Sequence, residues 1–456
     1  MNFINIAFSG SQAAQAQLNT TAMNTANAYT KGYSRQRVEL SAIGPMSGSR
    51  LSAGDGVSVT SIRRISDQYL VNQVWQASSQ NSYFGVSQQY FSGLEAAIGS
   101  ESTNIGTGMD KFFATLNEAT TQPDSRALRQ QIINEANALA TRFNNINNTM
   151  NSQKSAIQNQ RSATVSSINT LSSNIASLNK KISELESSGA NTGVLRDERD
   201  EMIRQLSELS EVRVSEAADG SFTVTFKNGQ PLVSGQTAAT LAVKAEPNGD
   251  QTLELNFSGT VFGLDMATGG QLGALYDYES GQLKEMQEIV HGMAESLANA
   301  FNDQLALGFD LNNQAGKPLF VFDPTNPNGI LQVSDISADE LALSSAVNEP
   351  GNGGNLQSLI DIKGQAMKLP HLGDMSLNDA SAAIVSDIGI ASRQNQVEAK
   401  AAAKVLHETQ LQRDSVSAVN PDEEAVNLLM YTQAYKSNLK VISTGDELFA
   451  AVLSMF

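Results

Sequence analysis

The sequence predicts an α+β chain, predominantly α: a long antiparallel helical coiled-coil core built from both chain ends, with a small β-hairpin domain inserted. Three observations carry this. Apolar residues recur at helical spacing at both ends, a stricter heptad runs through the middle, and the apolar period switches to that of a strand over 212–262. At the C-terminus Leu428, Tyr435, Ile442, Phe449 and Phe456 recur every seven residues, with Leu439 and Leu453 four places after two of them. At the N-terminus Ile4, Phe8, Ser11, Leu18 and Ala22 form a weaker face. A long helix with one apolar edge is poorly placed in water alone. The simplest partner for each end is the other end, together with the same ends of neighbouring copies.

The first thirty residues are rich in Asn, Gln, Thr, Ser and Ala. They bury too little apolar surface to order themselves, which predicts disorder in the free subunit and helix in an assembled one. Turn signals follow at Gly44-Pro45 and Gly54-Asp55-Gly56, and the alternation of Val57, Val59 and Ser61 predicts a short strand. Helix is expected over 66–97, again from Gly108, and then beyond Pro123-Asp124-Ser125 through Ile132, Leu139, Phe143, Ile146 and Met150. Ile168, Leu171, Ile175, Leu178, Ile182 and Leu185 fit an a/d heptad, Gly189 ends that helix, and a partner begins near Thr192 with Leu195, Met202, Leu206 and Leu209 on its apolar side. Two long helices joined by a short Gly-containing turn make an antiparallel hairpin.

From Val212 the period is two: Phe222, Val224 and Phe226 alternate, as do Leu241 with Val243 and Leu253 with Leu255 and Phe257. Asp219-Gly220, Asn228-Gly229 and Pro247-Asn248-Gly249-Asp250 are hairpin turns. Helix returns over 270–307, a loop with Pro318, Pro324 and Pro327 encloses strand candidates at 319–322 and 330–333, and Gly351-Asn352-Gly353-Gly354 is a linker. Helix then resumes from about Ser376 to the end, broken at 418–421. The expected domains are a terminal helical assembly domain (1–40 and 418–456), a long helical body (41–210, 263–315 and 355–417), an inserted β domain (211–262) at its far tip, and a loop-rich segment with short strands (316–354).

The net charge of −17 argues against a general nucleic-acid binder, which needs clustered Lys and Arg. The sign is uneven. Residues 1–30 carry no charged side chain, whereas Lys31, Arg35, Arg37, Arg50, Arg63 and Arg64 face only Glu39 and Asp55 in the next stretch. That stretch is either a solvated basic loop or a local electrostatic partner for acids elsewhere. The absence of cysteine excludes disulfides and thiol chemistry. No run approaches the roughly 18–20 apolar residues that cross a bilayer, and the N-terminus lacks the basic flank of a secretory signal. Composition alone therefore reads as cytoplasmic.

No constellation points to catalysis. Asp422, Glu423 and Glu424 follow Asn420-Pro421, the order of a helix start with Asn at the N-cap and acids at the positive dipole end. The run from Arg196 to Glu201 reads as a solvated ion-pair face. His291, His371 and His407 stand apart without ligand spacing, and the glycine linker lacks the Lys-Ser/Thr of a phosphate loop. A hydrolase using the β insertion would have only Glu216, Asp219, Glu246, Asp250 and Glu254 to work with. The chain is thus expected to be no enzyme, with no catalytic residue, cofactor or metal.

The segment Asn24-Thr25-Ala26-Asn27-Ala28-Tyr29-Thr30-Lys31-Gly32-Tyr33-Ser34-Arg35-Gln36 resembles the N-terminal signature of the bacterial flagellar rod, hook and hook-associated axial proteins. Residues 420–449, NPDEEAVNLLMYTQAYKSNLKVISTGDELF, resemble the closing helix of the same group. Gly32-Tyr33-Ser34-Arg35-Gln36, the run Leu195-Arg196-Asp197-Glu198-Arg199-Asp200, and Leu272-Gly273-Ala274-Leu275 narrow the resemblance to the hook-associated protein 1 family; Arg63-Arg64 with Asp67-Gln68-Tyr69-Leu70 agrees. Thr25 replaces a usual Ile, Lys31 a usual Pro and Ala418 a usual Gly. The resemblance implies a structural subunit between hook and filament, extracellular, exported without a cleavable signal through the flagellar type III apparatus. Implied partners are further copies of the chain in a ring-like assembly, the hook protein, hook-associated protein 3 and an export chaperone, with neither nucleic acid nor membrane insertion. The hook protein or another axial component is the alternative. The motif residues singled out are Asn24, Asn27, Thr30, Gly32, Tyr33, Ser34, Arg35 and Gln36; the assembly residues are Ile4, Phe8, Leu18, Leu428, Tyr435, Leu439, Ile442, Phe449, Leu453 and Phe456.

Overall fold

The computed structural model describes residues 2–44, 54–247, 249–326 and 329–455; Phe456, Arg50 and the turn residues Pro45, Asn248 and Pro327 lie outside them. Helix α1 (Asn2–Ala26) leads into strands β1 (Gln36–Ile43) and β2 (Gly56–Arg64). Helices α2 (Gln68–Gly99), α3 (Ile105–Ala119), α4 (Arg126–Ser187) and α5 (Gly193–Leu209) follow. The strand-rich segment holds β3 (Val212–Glu216), β4 (Phe222–Phe226), β5 (Pro231–Ser234), β6 (Thr237–Ala238), β7 (Thr240–Ala245), β8 (Gln251–Phe257) and β9 (Thr260–Leu264). Helix α6 (Gly270–Tyr278) continues through a π turn (Glu279–Leu283) into α7 (Lys284–Ala306). Strands β10 (Phe320–Phe322) and β11 (Leu331–Val333), helix α8 (Gly354–Asp361) and strands β12 (Met367–Leu369) and β13 (Gly373–Met375) precede α9 (Leu377–Ser417) and α10 (Pro421–Leu453). The chain is predominantly helical with small antiparallel sheets.

Two compact units emerge. The first comprises Met1–Ser82, Thr164–Gly270 and Ala402–Phe456, the second Tyr83–Ala163 and Gln271–Ala401. The strand-rich segment falls in the same unit as both chain ends.

In the first unit β1 pairs with β2 from Gln36↔Arg64 to Ile43↔Gly56, with an irregularity between Glu39 and Leu40. The apolar alternation marks β2 but not β1, whose Leu40 and Ala42 are exposed while Gln36 is buried. The other sheets run β3-β4-β5-β6 and β7-β8-β9. The second half of α4 holds both of them. Ile168, Ile175, Leu178 and Ile182 are buried, and two asparagines on α4 replace missing strand partners. Asn169 donates to Leu241 O at 2.8 Å and accepts from Leu241 N at 2.7 Å. Asn179 donates to Phe222 O and Gly235 O at 2.8 and 2.7 Å and accepts from Phe222 N at 3.0 Å. A carboxamide offers one acceptor and two donors, so it can satisfy a peptide group as another strand would. Asn169 and Asn179 thus bring this helix against strands β7 and β4.

The run 196–201 is not a solvated ion-pair face. Only Glu198 in it is exposed. Arg199 is fully buried, its guanidinium 3.4 Å over the Phe222 ring and its Nη1 donating to Asn179 Oδ1 and Gly220 O at 2.9 and 2.7 Å. Burial lowers the Arg199 pKa to about 10. Asp197 and Asp200 are buried as well and hold Arg64 at 3.0 and 2.7 Å. Arg, Asp and Glu sequences look solvated because such groups are almost never buried unless paired; here they are paired from a distant segment, which local spacing cannot show.

The second unit packs α3, the first half of α4 and α7 around Phe112, Phe301 and Phe320, with ring centroids 5.1 Å (Phe112–Phe301) and 5.8 Å (Phe301–Phe320) apart. Asparagine clamps recur. Asn302 donates to Phe320 O at 2.7 Å and accepts from Leu319 N and Phe320 N, while Asn144 bonds both peptide groups of Leu331. Buried Arg129 makes no ion pair among the described residues; it donates to the carbonyls of Pro123 and Leu341. At the π turn Glu279 pairs with the fully buried Arg161.

The clamp at Asn179 gives a measurable expectation. Asn179→Ala strands the amide of Phe222 and one donor of Arg199, and leaving buried polar groups unmade costs about 1–3 kcal/mol. Trp75, the one tryptophan of the sequence, is buried in the same unit and donates to Asp200 O at 3.1 Å. Urea titration followed by Trp75 fluorescence is therefore expected to show a lower midpoint for this variant, whereas Asn148→Ala at an exposed site should leave it in place.

Candidate assembly surface at the chain ends

Helix α1 ends at Ala26, and the chain reverses through Thr30 N→Asn27 O (2.9 Å) and Tyr33 N→Thr30 O (3.2 Å) before entering β1. Asn24 organises this reversal from the last turn of the helix. Its Oδ1 accepts from Gln36 N at 2.9 Å and Tyr33 OH at 3.0 Å, and its Nδ2 donates to Gln36 O at 2.9 Å and Glu424 Oε1 at 3.1 Å. All four contacts of one buried carboxamide are thus used, joining α1, β1 and α10. Burial, reinforced by Asp197 and Glu424, pushes the Tyr33 hydroxyl up to about 12, so it remains a donor at neutral pH. Ser34 N donates to Asp197 Oδ2 at 2.9 Å, Arg35 N to Ser417 O at 2.8 Å, and Gln36 Oε1 accepts from Asn191 at 3.1 Å. Asn27 and Thr30 bond each other at 3.2 Å on the exposed side of the turn, where Gly32 takes a φ of +84°.

The basic stretch finds acids within the chain: Lys31 lies 3.7 Å from Glu201, Arg35 3.1 Å from Glu423, Arg63 3.0 Å from Glu39, and Arg64 meets Asp197 and Asp200. For half-buried Arg64, desolvation works against the charge but the two carboxylates outweigh it and raise its pKa. At the three positions that depart from the family, Thr25 Oγ1 bonds back to Thr21 O, Lys31 makes its ion pair, and Ala418 N reaches Asp414 O.

Asn420 caps α10, accepting from Asp422 N at 3.0 Å and Glu423 N at 3.5 Å, with Pro421 in the first turn. Glu424 does more than complement the helix dipole, since it is buried against Asn24. Farther along, α10 packs on α1, which also contacts β1 and β2. The side chains α1 buries are small: Ala7, Ser11, Ala13, Ala14, Thr20 and Thr21. The two helices come so close that a Cβ on Gly445 would lie 2.7 Å from Ile4 Cγ1 and 2.8 Å from Phe3 Cε2, and one on Gly10 would lie 2.6 Å from Asn438 Oδ1. Glycine is the residue that permits such an approach.

The large apolar side chains divide accordingly. Ile4, Leu18, Tyr435 and Ile442 are half-buried, whereas Phe8, Leu428, Leu439, Phe449 and Leu453 are exposed, Phe8 and Phe449 to 55 % and Leu453 to 60 %. Sequence periodicity missed others on the same helices, notably Val426, Leu429 (73 % exposed), Met430 and Leu448. The consecutive apolar residues 428–430 were the available sign, because a helix apolar on more than one side needs more than one partner.

Elsewhere the candidate acids of the β segment serve local contacts: Glu216 pairs with Arg196 at 2.7 Å, Glu254 with Lys244 at 3.2 Å, and Asp219 accepts from Ser221 in its turn. Among the described residues no group of three or more His, Cys, Asp or Glu could hold a metal ion, and no helix is long and apolar enough to cross a membrane.

The seam predicts its own sensitivity. Gly445→Leu must drive α10 away from Ile4 and Phe3, and overpacking of this kind costs about 1–3 kcal/mol. Amide exchange over 2–20 is expected to accelerate in this variant, and the Trp75 unfolding midpoint, which reports on the same unit, to fall.

Comparison with known proteins agrees with this organisation. A family model described as the flagellar hook-associated protein FlgK helical domain matches residues 91–320, and one described as the flagellar basal body rod FlgEFG protein C-terminal matches 412–455. Flagellar hook-associated protein 1 of Escherichia coli (strain K12) is 26% identical with all of both chains covered, and that of Bacillus subtilis (strain 168) is 26% identical over 97% of this chain and 96% of the relative. The flagellar hook junction protein FlgK from Burkholderia pseudomallei superposes with a TM-score of 0.69 at 18% identity, covering 76% of this chain and 100% of that one, a likeness of fold. With the helical-domain model spanning half of its length, the chain belongs to the flagellar hook-associated protein FlgK family, a group of flagellar axial components.

Proposed function

We propose that this chain is a structural subunit of the junction between hook and filament, and that it assembles through its terminal helices after type III export. The observation that carries the reading is the division of side chains at the chain ends. Within one copy Gly445 of α10 packs against Ile4 and Phe3 of α1, and Gly10 of α1 against Asn438 of α10, while Phe8, Leu429, Phe449 and Leu453 are left exposed. Each such side chain gains roughly 1.5–3 kcal/mol on burial, a driving force realised only when neighbouring copies cover it. The terminal segments 1–40 and 418–456 act as the assembly domain, forming a coiled-coil layer with the ends of other copies. The hook protein, hook-associated protein 3, an export chaperone and the export apparatus are the further partners, and the site of action is the cell exterior. The absence of charge in α1 supports passage and stacking of an uncharged end. The subunit has a mechanical role and performs no catalysis.

The hook protein or another axial component is the rival reading, which the rod-type match over 412–455 would equally accommodate. The match over 91–320 favours the junction. A deletion strain separates the two: hooks retained without filaments support the junction, missing hooks support the rival. Leu439→Asp is expected to leave the Trp75 unfolding transition unchanged and to abolish motility and attached filaments. Normal filaments in that strain would contradict the assignment.

A further inference from the structure

Arg64 on β2 meets two carboxylates of α5 through a single nitrogen: its Nη1 lies 3.0 Å from Asp197 Oδ1 and 2.7 Å from Asp200 Oδ2. Both aspartates are buried, so two negative charges stand close together with one cation between them. Their remaining oxygens differ. Asp197 Oδ2 accepts from Ser34 N at 2.9 Å, whereas Asp200 Oδ1 has no hydrogen-bond partner among the described residues. A cavity of about 30 Å³ beside Trp75 is lined in part by Asp200, yet it leaves that oxygen closed to water. An ionised oxygen with neither donor nor solvent is costly in such a place.

The neighbouring cations do not relieve it. On α5 itself Arg196 is bound by Glu186 and Glu216, and Arg204 by Glu201 and Glu208. Arg199 is engaged by Asn179, Gly220 and the Phe222 ring. Before β1, Lys31 pairs with Glu201 and Arg35 with Glu423; on β2, Arg63 pairs with Glu39. At the end of α9, Arg413 pairs with Asp414. Helix α10 adds a further buried acid, Glu424, and α2 presents the neutral Trp75, whose indole donates to the Asp200 carbonyl. Burial raises the pKa of both Asp197 and Asp200, and the attraction of Arg64 only partly offsets it. The one ligand small enough to reach Asp200 Oδ1 is a proton.

We infer that Asp200 takes up a proton at Oδ1 as this unit folds, which makes the Asp197–Arg64–Asp200 contact a pH-dependent latch between β2 and α5. In the protonated state Arg64 balances Asp197 one to one, and Asp200 Oδ2 still accepts from it. As pH rises the proton leaves, and a second, unbalanced negative charge stays buried. Ser34 is held by the same Asp197, so the latch also bears on the turn that follows α1. A folded pKa above the unfolded value of about 3.9 gives a stabilisation that is complete below that pH and lost as pH rises through the folded value.

Urea unfolding of the full chain, followed by Trp75 fluorescence from about pH 5 to about pH 8, covers the range above the ordinary aspartate value. Asp200→Asn removes the proton site and keeps an acceptor for Arg64. The folded-to-unfolded ratio of the parent, divided by that of Asp200→Asn, is expected to fall with rising pH, by up to about tenfold per unit for one proton. The same quotient for Glu198→Gln, an exposed acid on the same helix, is expected to stay level. A level quotient for Asp200→Asn overturns the inference. Should that variant not fold, carboxyl-carbon NMR of the parent labelled at aspartate decides. At least one aspartate titrating well above the rest supports the latch, and all titrating at or below the usual value overturn it.

Discussion

The close approach of α1 and α10 is the constraint on which the rest depends. Gly445 against Ile4 and Phe3, and Gly10 against Asn438, leave no room for a Cβ between the two helices. A crossing set by two glycines and the small side chains that α1 buries aligns the helices but removes little apolar area from water, and hydrophobic stabilisation scales with that area. Ile4, Leu18, Tyr435 and Ile442 are half-buried, and Phe8, Leu428, Leu429, Phe449 and Leu453 are left exposed. Economy at the inner seam and surplus at the outer face are one fact seen from two sides. A self-sufficient domain would put Phe449 and Leu453 inward and alanine outward.

The seam alone would not fix how the ends sit on the remainder of their unit. That is the task of the polar network around the signature turn. Asn24 ties α1 to β1 and to Glu424 of α10, Ser34 docks on Asp197, and Arg64 bridges Asp197 and Asp200 on α5. Arg199, on the same turn between those two aspartates, reaches Asn179 and Gly220 and so the strands. Buried groups of this kind contribute little net stability but penalise any arrangement that leaves one unpaired. The network therefore specifies an orientation, and the apolar faces supply the driving force for assembly.

Much of this was legible in the sequence. The helix start at Asn420-Pro421 follows from capping chemistry, and α10, α9 and the strand alternation of β4 and β8 follow from periodicity. What was not legible depends on distant partners. The acids and arginines of 196–201 look solvated until Arg64 and Phe222 are placed beside them. Asn144, Asn169, Asn179 and Asn302 look like helix-weakening surface residues, since nothing local reveals that each faces the peptide group of a strand. The heptad at the C-terminus located an apolar helix correctly but could not say which of its residues face inward. That is settled by Gly445, whose missing side chain draws α1 to one side of the helix.

Side-chain exposure in the free and assembled states is the quantity that decides the account. Hydroxyl-radical footprinting of the purified subunit and of sheared flagella reads it residue by residue. The account predicts strong labelling of Phe8, Leu429, Met430, Phe449 and Leu453 in the free subunit and at least a tenfold drop on assembly, with Trp75 weakly labelled in both. Equal labelling of the terminal side chains in the two states would contradict it, because the outer faces of α1 and α10 would then have no partner to meet.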